Sequence, residues 1–138
     1  MPVPRLTAVA LYVESVRRSA AFYHNALSAA DLVEATPIGD YAVLRLRGVE
    51  LHLYDFAAYG AELHLPDGHS ELKGAGTALY LHVPNLTQAA TAVERGGGQV
   101  LDGPTDQPWG ARELLVADPD GYRLVLWQGG LNADWPTW

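Results

Sequence analysis

The sequence predicts an α+β fold built from two tandem β-α-β-β-β modules. Three observations carry this. The segment Ala8-Val9-Ala10-Leu11-Tyr12-Val13 recurs as Ala78-Leu79-Tyr80-Leu81-His82-Val83. Gly48-Val49-Glu50-Leu51-His52-Leu53-Tyr54 recurs, in the same order and some seventy residues later, as Gly121-Tyr122-Arg123-Leu124-Val125-Leu126-Trp127. Between the matched segments, each half carries a capping residue followed by apolar residues at helical spacing. The repeats span residues 5–55 and 76–128, with a linker at 56–75 and a tail at 129–138. A duplicated half-domain of this kind is expected to build one cavity between its halves.

The elements follow in order. Residues 7–14 alternate as a strand does. Ser15 is the expected N-cap of the first helix, whose stripe is Val16, Ala20, Tyr23 and Leu27. A short strand is expected near 32–36. Tyr41–Arg47 and Val49–Tyr54 read as strands joined at Gly48. In the second half, 77–83 is a strand. Asn85 caps a helix, with Gln88 as its capping-box partner, and Leu86, Ala89, Ala90 and Val93 form the stripe. Gly96-Gly97-Gly98 ends that helix, because glycine accepts a left-handed conformation at a C-terminus. A phosphate cradle would open a helix instead. A short strand is expected near 99–102. Glu113–Ala117 and Tyr122–Gln128 are joined by the turn sequence Asp118-Pro119-Asp120-Gly121. Residues 56–76 are expected to form an ordered loop or a partial arm. Trp135 and Trp138 in the tail are expected to cover a groove or pack on a partner subunit.

Bulk properties narrow the function classes. With 138 residues, 49% of them apolar, the chain is long enough for one domain with its own core. It has no cysteine, which excludes disulfides, a cysteine nucleophile and cysteine-bound metal. Sixteen acidic against nine basic side chains give a charge of −7. Nucleic acid and anionic membrane are therefore poor partners, and a cationic small molecule is a better one. No apolar run is long enough to span a bilayer, and Met1-Pro2-Val3-Pro4-Arg5 lacks a signal-peptide core. A cytoplasmic protein is expected. There is no Gly-x-Ser-x-Gly elbow, P-loop or complete dinucleotide fingerprint. Gly74-Ala75-Gly76 lacks a following helix and signals only flexibility before the next strand.

Alternation divides each sheet into two faces. Val9, Leu11, Val13, Leu51, Leu53, Leu79, Leu81, Leu124 and Leu126 form a uniform aliphatic side, expected against the helices. The other side is mixed. It carries Ala8, Ala10, Tyr12 and Glu14; Glu50, His52 and Tyr54; Ala78, Tyr80 and His82; and Arg123, Val125 and Trp127. Aromatics, small alanines and a few charges together read as the lining of a partly apolar pocket. A dimer interface or a wetted sheet face is the other reading. Glu14, Glu50, His52 and His82 could converge, but their spacing is not a metal motif. His24, His64 and His69 are expected to be solvated.

The chain resembles the vicinal oxygen chelate superfamily, which includes glyoxalase I, bleomycin resistance proteins and extradiol dioxygenases. The carrying residues are Leu11-Tyr12-Val13 with Ala20-Ala21-Phe22-Tyr23, the run from Trp109-Gly110-Ala111-Arg112-Glu113 to Asp118-Pro119-Asp120-Gly121, and Leu124-Val125-Leu126-Trp127. The resemblance implies paired βαβββ modules forming a U-shaped mixed sheet around a cavity, in a homodimer. It also implies metal-ligand positions at Ala8, His52, Ala78 and Val125. Only His52 is a donor there, so no metal and no other cofactor is expected. Gln107-Pro108-Trp109-Gly110 followed by Arg112-Glu113 resembles the metal-free bleomycin resistance branch, whose members hold planar or cationic antibiotics between aromatic rings.

The expected function is therefore metal-free binding and sequestration of an aromatic or cationic, antibiotic-like small molecule. The expected ligand-binding residues are Tyr12, Glu50, His52, Tyr80, His82, Trp109, Arg123 and Trp127, with Arg123 pairing with Glu50 or Glu14 or selecting an anionic group. Two alternatives stand beside it. One is a lyase, isomerase or dioxygenase with an atypical metal or Tyr/His/Glu acid–base site. The other is a scaffold or regulatory dimer with no ligand.

Overall fold

A computed structural model of the chain describes residues 2–27, 31–36, 38–65 and 73–129. The chain divides into two compact units at the Lys73–Gly74 bond. Each is a β-α-β-β-β module whose three later strands follow its helix, as the repeat predicts. His69, Trp135, Trp138 and most of the second half of the linker lie outside the described residues.

The first unit contains β1 (Ala8–Val13), α1 (Val16–Ala21), β2 (Asp31–Ala35), β3 (Tyr41–Leu46), β4 (Val49–Asp55) and α2 (Phe56–Tyr59). Its sheet runs β1-β4-β3-β2, with β1 parallel to β4 and the other pairs antiparallel. Ser15 caps α1 as expected, its hydroxyl accepting from Arg18 N–H at 3.2 Å. The helix then widens into a π-helical turn over Phe22–Ala26, with Leu27 N–H reaching back to the Phe22 carbonyl. This alters the expected stripe. Val16, Ser19, Phe22, Tyr23 and Leu27 are buried, and Ala20 is only half-buried. Phe22 and Tyr23 are adjacent and both must reach the core. Burying two neighbouring rings displaces the face that regular helical spacing assigns to Ala20.

Strands β3 and β4 are joined by Arg47-Gly48, with Gly48 at φ 83°. That left-handed conformation suits glycine. The two-residue turn fixes the register, so Tyr41 lies opposite Tyr54, Val43 opposite His52 and Arg45 opposite Glu50. The linker departs from the expected loop. It opens with α2, capped by the Asp55 carboxylate on Ala57 N–H at 2.9 Å, and continues as a 3₁₀ turn over Gly60–Leu63.

The second unit contains β5 (Ala78–His82), α3 (Leu86–Arg95), β6 (Gln99–Asp106), β7 (Ala111–Ala117) and β8 (Arg123–Gly129), in the order β5-β8-β7-β6. Again the first strand is parallel to the last and the rest are antiparallel. Asn85 caps α3 by accepting from Gln88 N–H at 3.0 Å. At its other end, Gly96, Gly97 and Gly98 donate to carbonyls of Ala92, Glu94 and Val93. The glycine run is thus a helix terminus. The buried stripe is Leu86, Ala89 and Val93, with Ala90 half-buried. Strands β6 and β7 are longer than the sequence predicts, because β6 continues past two register shifts to Asp106. The turn after β7 is held by the buried Asp118, whose carboxylate accepts from the N–H groups of Asp120 and Tyr122, both at 2.9 Å.

The helix-facing sides of both sheets match the expected aliphatic faces. Leu11, Val13, Leu44, Leu51 and Leu53 are buried in the first unit, and Leu114, Val116, Leu124 and Leu126 in the second. Helix α1 packs on β3 and β4, and α3 packs on β6, β7 and β8. Leu79 and Leu81 are only half-buried, since β5 is an edge strand. A fully buried leucine contributes roughly 1.5–3 kcal/mol relative to an exposed one, so these faces supply most of each module's stability.

Candidate ligand-binding site

Register arranges the mixed face of the first sheet in three rows. Tyr12, Tyr54 and Tyr41 form one; Ala10, His52 and Val43 the next; Ala8, Glu50 and Arg45 the third. Tyr54 is the centre of a ring cluster. It stacks on Tyr12, with centroids 5.1 Å apart and planes 18° from parallel. Tyr41 meets it at 4.9 Å, Tyr59 of α2 meets it edge-on at 5.5 Å, and His52 lies at 6.3 Å. Offset and edge-to-face contacts of this kind favour rigid aromatic surfaces.

Two hydrogen bonds tie the start of the linker to this face. Tyr12 donates to the Glu62 carboxylate at 3.4 Å. Tyr59 donates to Asp40 at 3.0 Å, and Asp40 also accepts from Thr36. Burial raises the Tyr12 hydroxyl pKa, and the negative charge of Glu62 raises it further. The bond to Asp40 raises that of Tyr59. The Thr36 hydroxyl, and then Tyr59, hold the Asp40 carboxyl below its ordinary value. In the next rows, His52 Nε2 lies 3.0 Å from Glu50 Oε1. Residues two apart on a strand share a face, so the pair follows directly from alternation.

The second sheet repeats the three rows with other residues. His82, Trp127 and Glu113 form the first, Tyr80, Val125 and Leu115 the second, and Ala78, Arg123 and Ala117 the third. His82 meets Trp127 edge-on, with centroids 4.4 Å apart. Trp127 is 9% exposed, whereas Tyr80 is 57% exposed. Glu113 accepts from the Gln107 amide at 3.4 Å. Arg123 donates to the Gly121 carbonyl at 2.8 Å. Trp109 lies in the turn joining β6 to β7 and is 40% exposed. Close backbone approach shapes this end. A Cβ on Gly129 would stand 2.8 Å from the Gly110 carbonyl oxygen.

Tyr12, Glu50 and His52 therefore share one face of the first sheet, and Tyr80, His82, Arg123 and Trp127 share one face of the second. Trp109 sits on a turn beyond the His82–Trp127 row. Tyr41, Tyr54, Tyr59 and Glu62 are absent from the expected site. The Gly48 turn carries the signal that places Tyr41 opposite Tyr54. Nothing in the sequence marks Tyr59 or Glu62, because the linker shows no strong helical pattern.

The fold has counterparts. Residues 5–126 match the family model described as Glyoxalase/Bleomycin resistance protein/Dioxygenase superfamily. The chain belongs to this superfamily. Solved structures similar to it include a family enzyme from Burkholderia phytofirmans PsJN, with 16% identity and a TM-score of 0.76 over 92% of this chain and 100% of that one. A glyoxalase-related enzyme from Fulvimarina pelagi has 22% identity and a TM-score of 0.76, over 97% and 92% of the two chains. TnmS3, an antibiotic binding protein from Streptomyces sp. CB03234, has 21% identity and a TM-score of 0.66, over 94% and 99%. No curated protein matches. Among the described residues, no helix is long and apolar enough to cross a membrane.

The resemblance implies metal donors on the mixed faces. At the positions where the resemblance puts them, this chain has Ala8 and His52 in one module and Ala78 and Val125 in the other. The neighbours of Val125 in its row are Tyr80 and Leu115. Among the described residues, no three His, Asp or Glu groups gather as a metal site. A divalent cation takes three or four such donors, and the His52–Glu50 pair supplies two.

Proposed function

We propose that the protein binds an aromatic or cationic small molecule on the mixed sheet faces and sequesters it unchanged. The observation that carries this reading is the gathering of rings on the mixed faces, the Tyr12–Tyr54–Tyr41 row in one module and the His82–Trp127 pair in the other, where the implied ligand positions hold Ala8, Ala78 and Val125. Aromatic faces attract flat or cationic groups, and the −7 charge draws cations. The donor set does not fit a divalent ion, so no step of the function passes through one. The proposed contacts are Tyr12, Tyr80, His82, Trp109 and Trp127, with Glu50, His52 and Arg123 as polar partners. The fold shared with an antibiotic binding protein supports an antibiotic-like ligand.

A second reading is acid–base catalysis on the same scaffold. The His52–Glu50 contact favours it, because a carboxylate beside an imidazole orients it as a base. Titration of the chelator-treated protein with a hit from a thermal-shift screen of planar cationic aromatics separates the two. Binding with the compound recovered unaltered supports sequestration, and product beyond one equivalent supports catalysis. We also propose a homodimer. Each four-stranded sheet ends in two edge strands, and such edges seek partners. Light scattering is expected to give twice the chain mass at micromolar concentration, and a mass of one chain would contradict the dimer.

A further inference from the structure

Tyr12 is 8% exposed, although it lies on the mixed face and on an edge strand. A ring so covered offers a ligand almost no surface. Tyr54 stacks on it, with centroids 5.1 Å apart. The start of the linker lies against both rings. Helix α2 packs on β1 and β4. Its Tyr59 meets Tyr54 edge-on at 5.5 Å, and Glu62 accepts from the Tyr12 hydroxyl at 3.4 Å. This segment is held unlike α1 or α3. Helix α1 buries Val16 and Ser19, and α3 buries Leu86, Ala89 and Val93. Helix α2 buries none of its residues, and in the 3₁₀ turn after it only Gly60 is buried. Phe56 and Tyr59 are half-buried, and the other side chains from 56 to 63 are exposed. The root of the segment is fixed. Asp55 caps Ala57 N–H at 2.9 Å, and a Cβ on Gly60 would stand 2.9 Å from the Phe56 ring. The far part is held by the Tyr59 ring and by two hydroxyl–carboxylate bonds, Tyr59 to Asp40 at 3.0 Å and Tyr12 to Glu62. Water competes for both bonds, so each contributes little beside a buried leucine. A segment without a buried apolar anchor opens at far lower cost than the strands beneath it.

We propose that residues 56–63 form a strap that occludes the tyrosine row, and that a ligand reaches Tyr12 and Tyr54 only when the Tyr59–Asp40 and Tyr12–Glu62 latches open. The proposal rests on the reading of the mixed face as a ligand wall. Strap and ligand compete for the same ring surface. A one-turn helix is not stable off the sheet, so lifting the strap also unravels it. The apparent affinity of the first module falls with the fraction of molecules whose strap is closed. The two latches therefore set how readily the tyrosine row takes a ligand, without touching the ligand themselves.

The test uses the full chain, its Tyr12→Phe/Tyr59→Phe double variant and proflavine, a planar cationic aromatic. The variant keeps every ring and every charge and removes only the two hydroxyl donors. Without the probe, hydrogen exchange read by mass spectrometry is expected to run about tenfold faster in the strap of the variant, the scale of two lost hydrogen bonds. The amides of Gly60 and His64, which donate to the Phe56 and Ala61 carbonyls, report it. Unchanged exchange in β3 and β4 checks that the module stays folded. Proflavine, followed by its fluorescence, should bind the variant about tenfold more tightly than the parent. It should also speed strap exchange in the parent. Equal or weaker affinity in the variant, or strap exchange that slows when proflavine binds the parent, would overturn the proposal. Equal strap exchange in parent and variant would overturn it too, because the latches would then hold nothing. If proflavine binds neither protein while the strap of the variant exchanges faster, the ligand wall fails and the latched strap stands. If proflavine binds neither and exchange is equal, both fail.

Discussion

Where the first module sets Tyr12, Tyr54 and Tyr41 in one row, the second sets His82, Trp127 and Glu113. One row further along, His52 between Ala10 and Val43 becomes Val125 between Tyr80 and Leu115. In the third, Glu50 between Ala8 and Arg45 becomes Arg123 between Ala78 and Ala117. On the opposite side of each sheet, leucine answers leucine: Leu51 and Leu53 in one module, Leu124 and Leu126 in the other. The difference separates two demands. The helix-facing side needs apolar volume and little else, so it tolerates the same residues in both copies. The mixed side has diverged at nearly every position. The first module offers hydroxyl-bearing rings and a His–Glu pair, whereas the second offers an indole between His82 and Glu113.

The largest expected effect tests the shared side. Leu53→Ala and Leu126→Ala should each cost roughly 2–5 kcal/mol in urea unfolding, because both delete a fully buried side chain. A near-zero cost in one module would show that its helix face is not a core, and the likeness would fail there.

Ring removal on the mixed side should be smaller and unequal. Trp127→Ala is expected to weaken binding of an aromatic ligand about tenfold, or 1.4 kcal/mol, measured by fluorescence or calorimetry. Tyr54→Ala should cost at least as much, because Tyr12, Tyr41, Tyr59 and His52 all pack around that ring. If the Tyr54 change leaves affinity untouched while the Trp127 change does not, the ligand uses the second module alone.

The smallest effects are pH-dependent and belong to the first module. The Asp40 pKa is depressed in the folded chain from its ordinary value of 3.8. Its contribution to stability is therefore present above that value and lost as pH falls through the folded one. The Tyr12 pKa is raised above 10.0. Its contribution is complete below that value and lost as pH rises through the folded one. Melting curves of Asp40→Asn should flatten on the acid side, and those of Tyr12→Phe on the alkaline side. Slopes matching the parent in both variants would show that these hydroxyl–carboxylate bonds do not hold the linker to the sheet.

Much of this architecture is legible in the sequence. The duplication gives the succession of elements along each module, and Ser15, Asn85 and Gly96 mark helix ends because unpaired backbone groups demand local partners. Period-two alternation sorts leucines from tyrosines without any structure. What it misses is non-local. The buried face of α1 shifts because Phe22 and Tyr23 compete for the same core, which spacing alone does not weigh. Tyr41 enters the site through register, set by a turn, and Tyr59 and Glu62 through a linker helix of one turn whose signal is too short to read. Arg45 is hidden for a similar reason. It belongs to a strand that alternation treats separately, and only pairing brings it beside Glu50.

The most direct test of metal-free sequestration is a single titration. Chelator-treated protein and protein supplied with nickel, zinc or manganese are each titrated with a planar cationic aromatic that raises the melting temperature, and the compound is then recovered and analysed. Binding at one equivalent per site, equal with and without metal, and recovery of the compound unaltered are expected. Binding that appears only when metal is restored, or product that accumulates beyond one equivalent per site, would contradict the account.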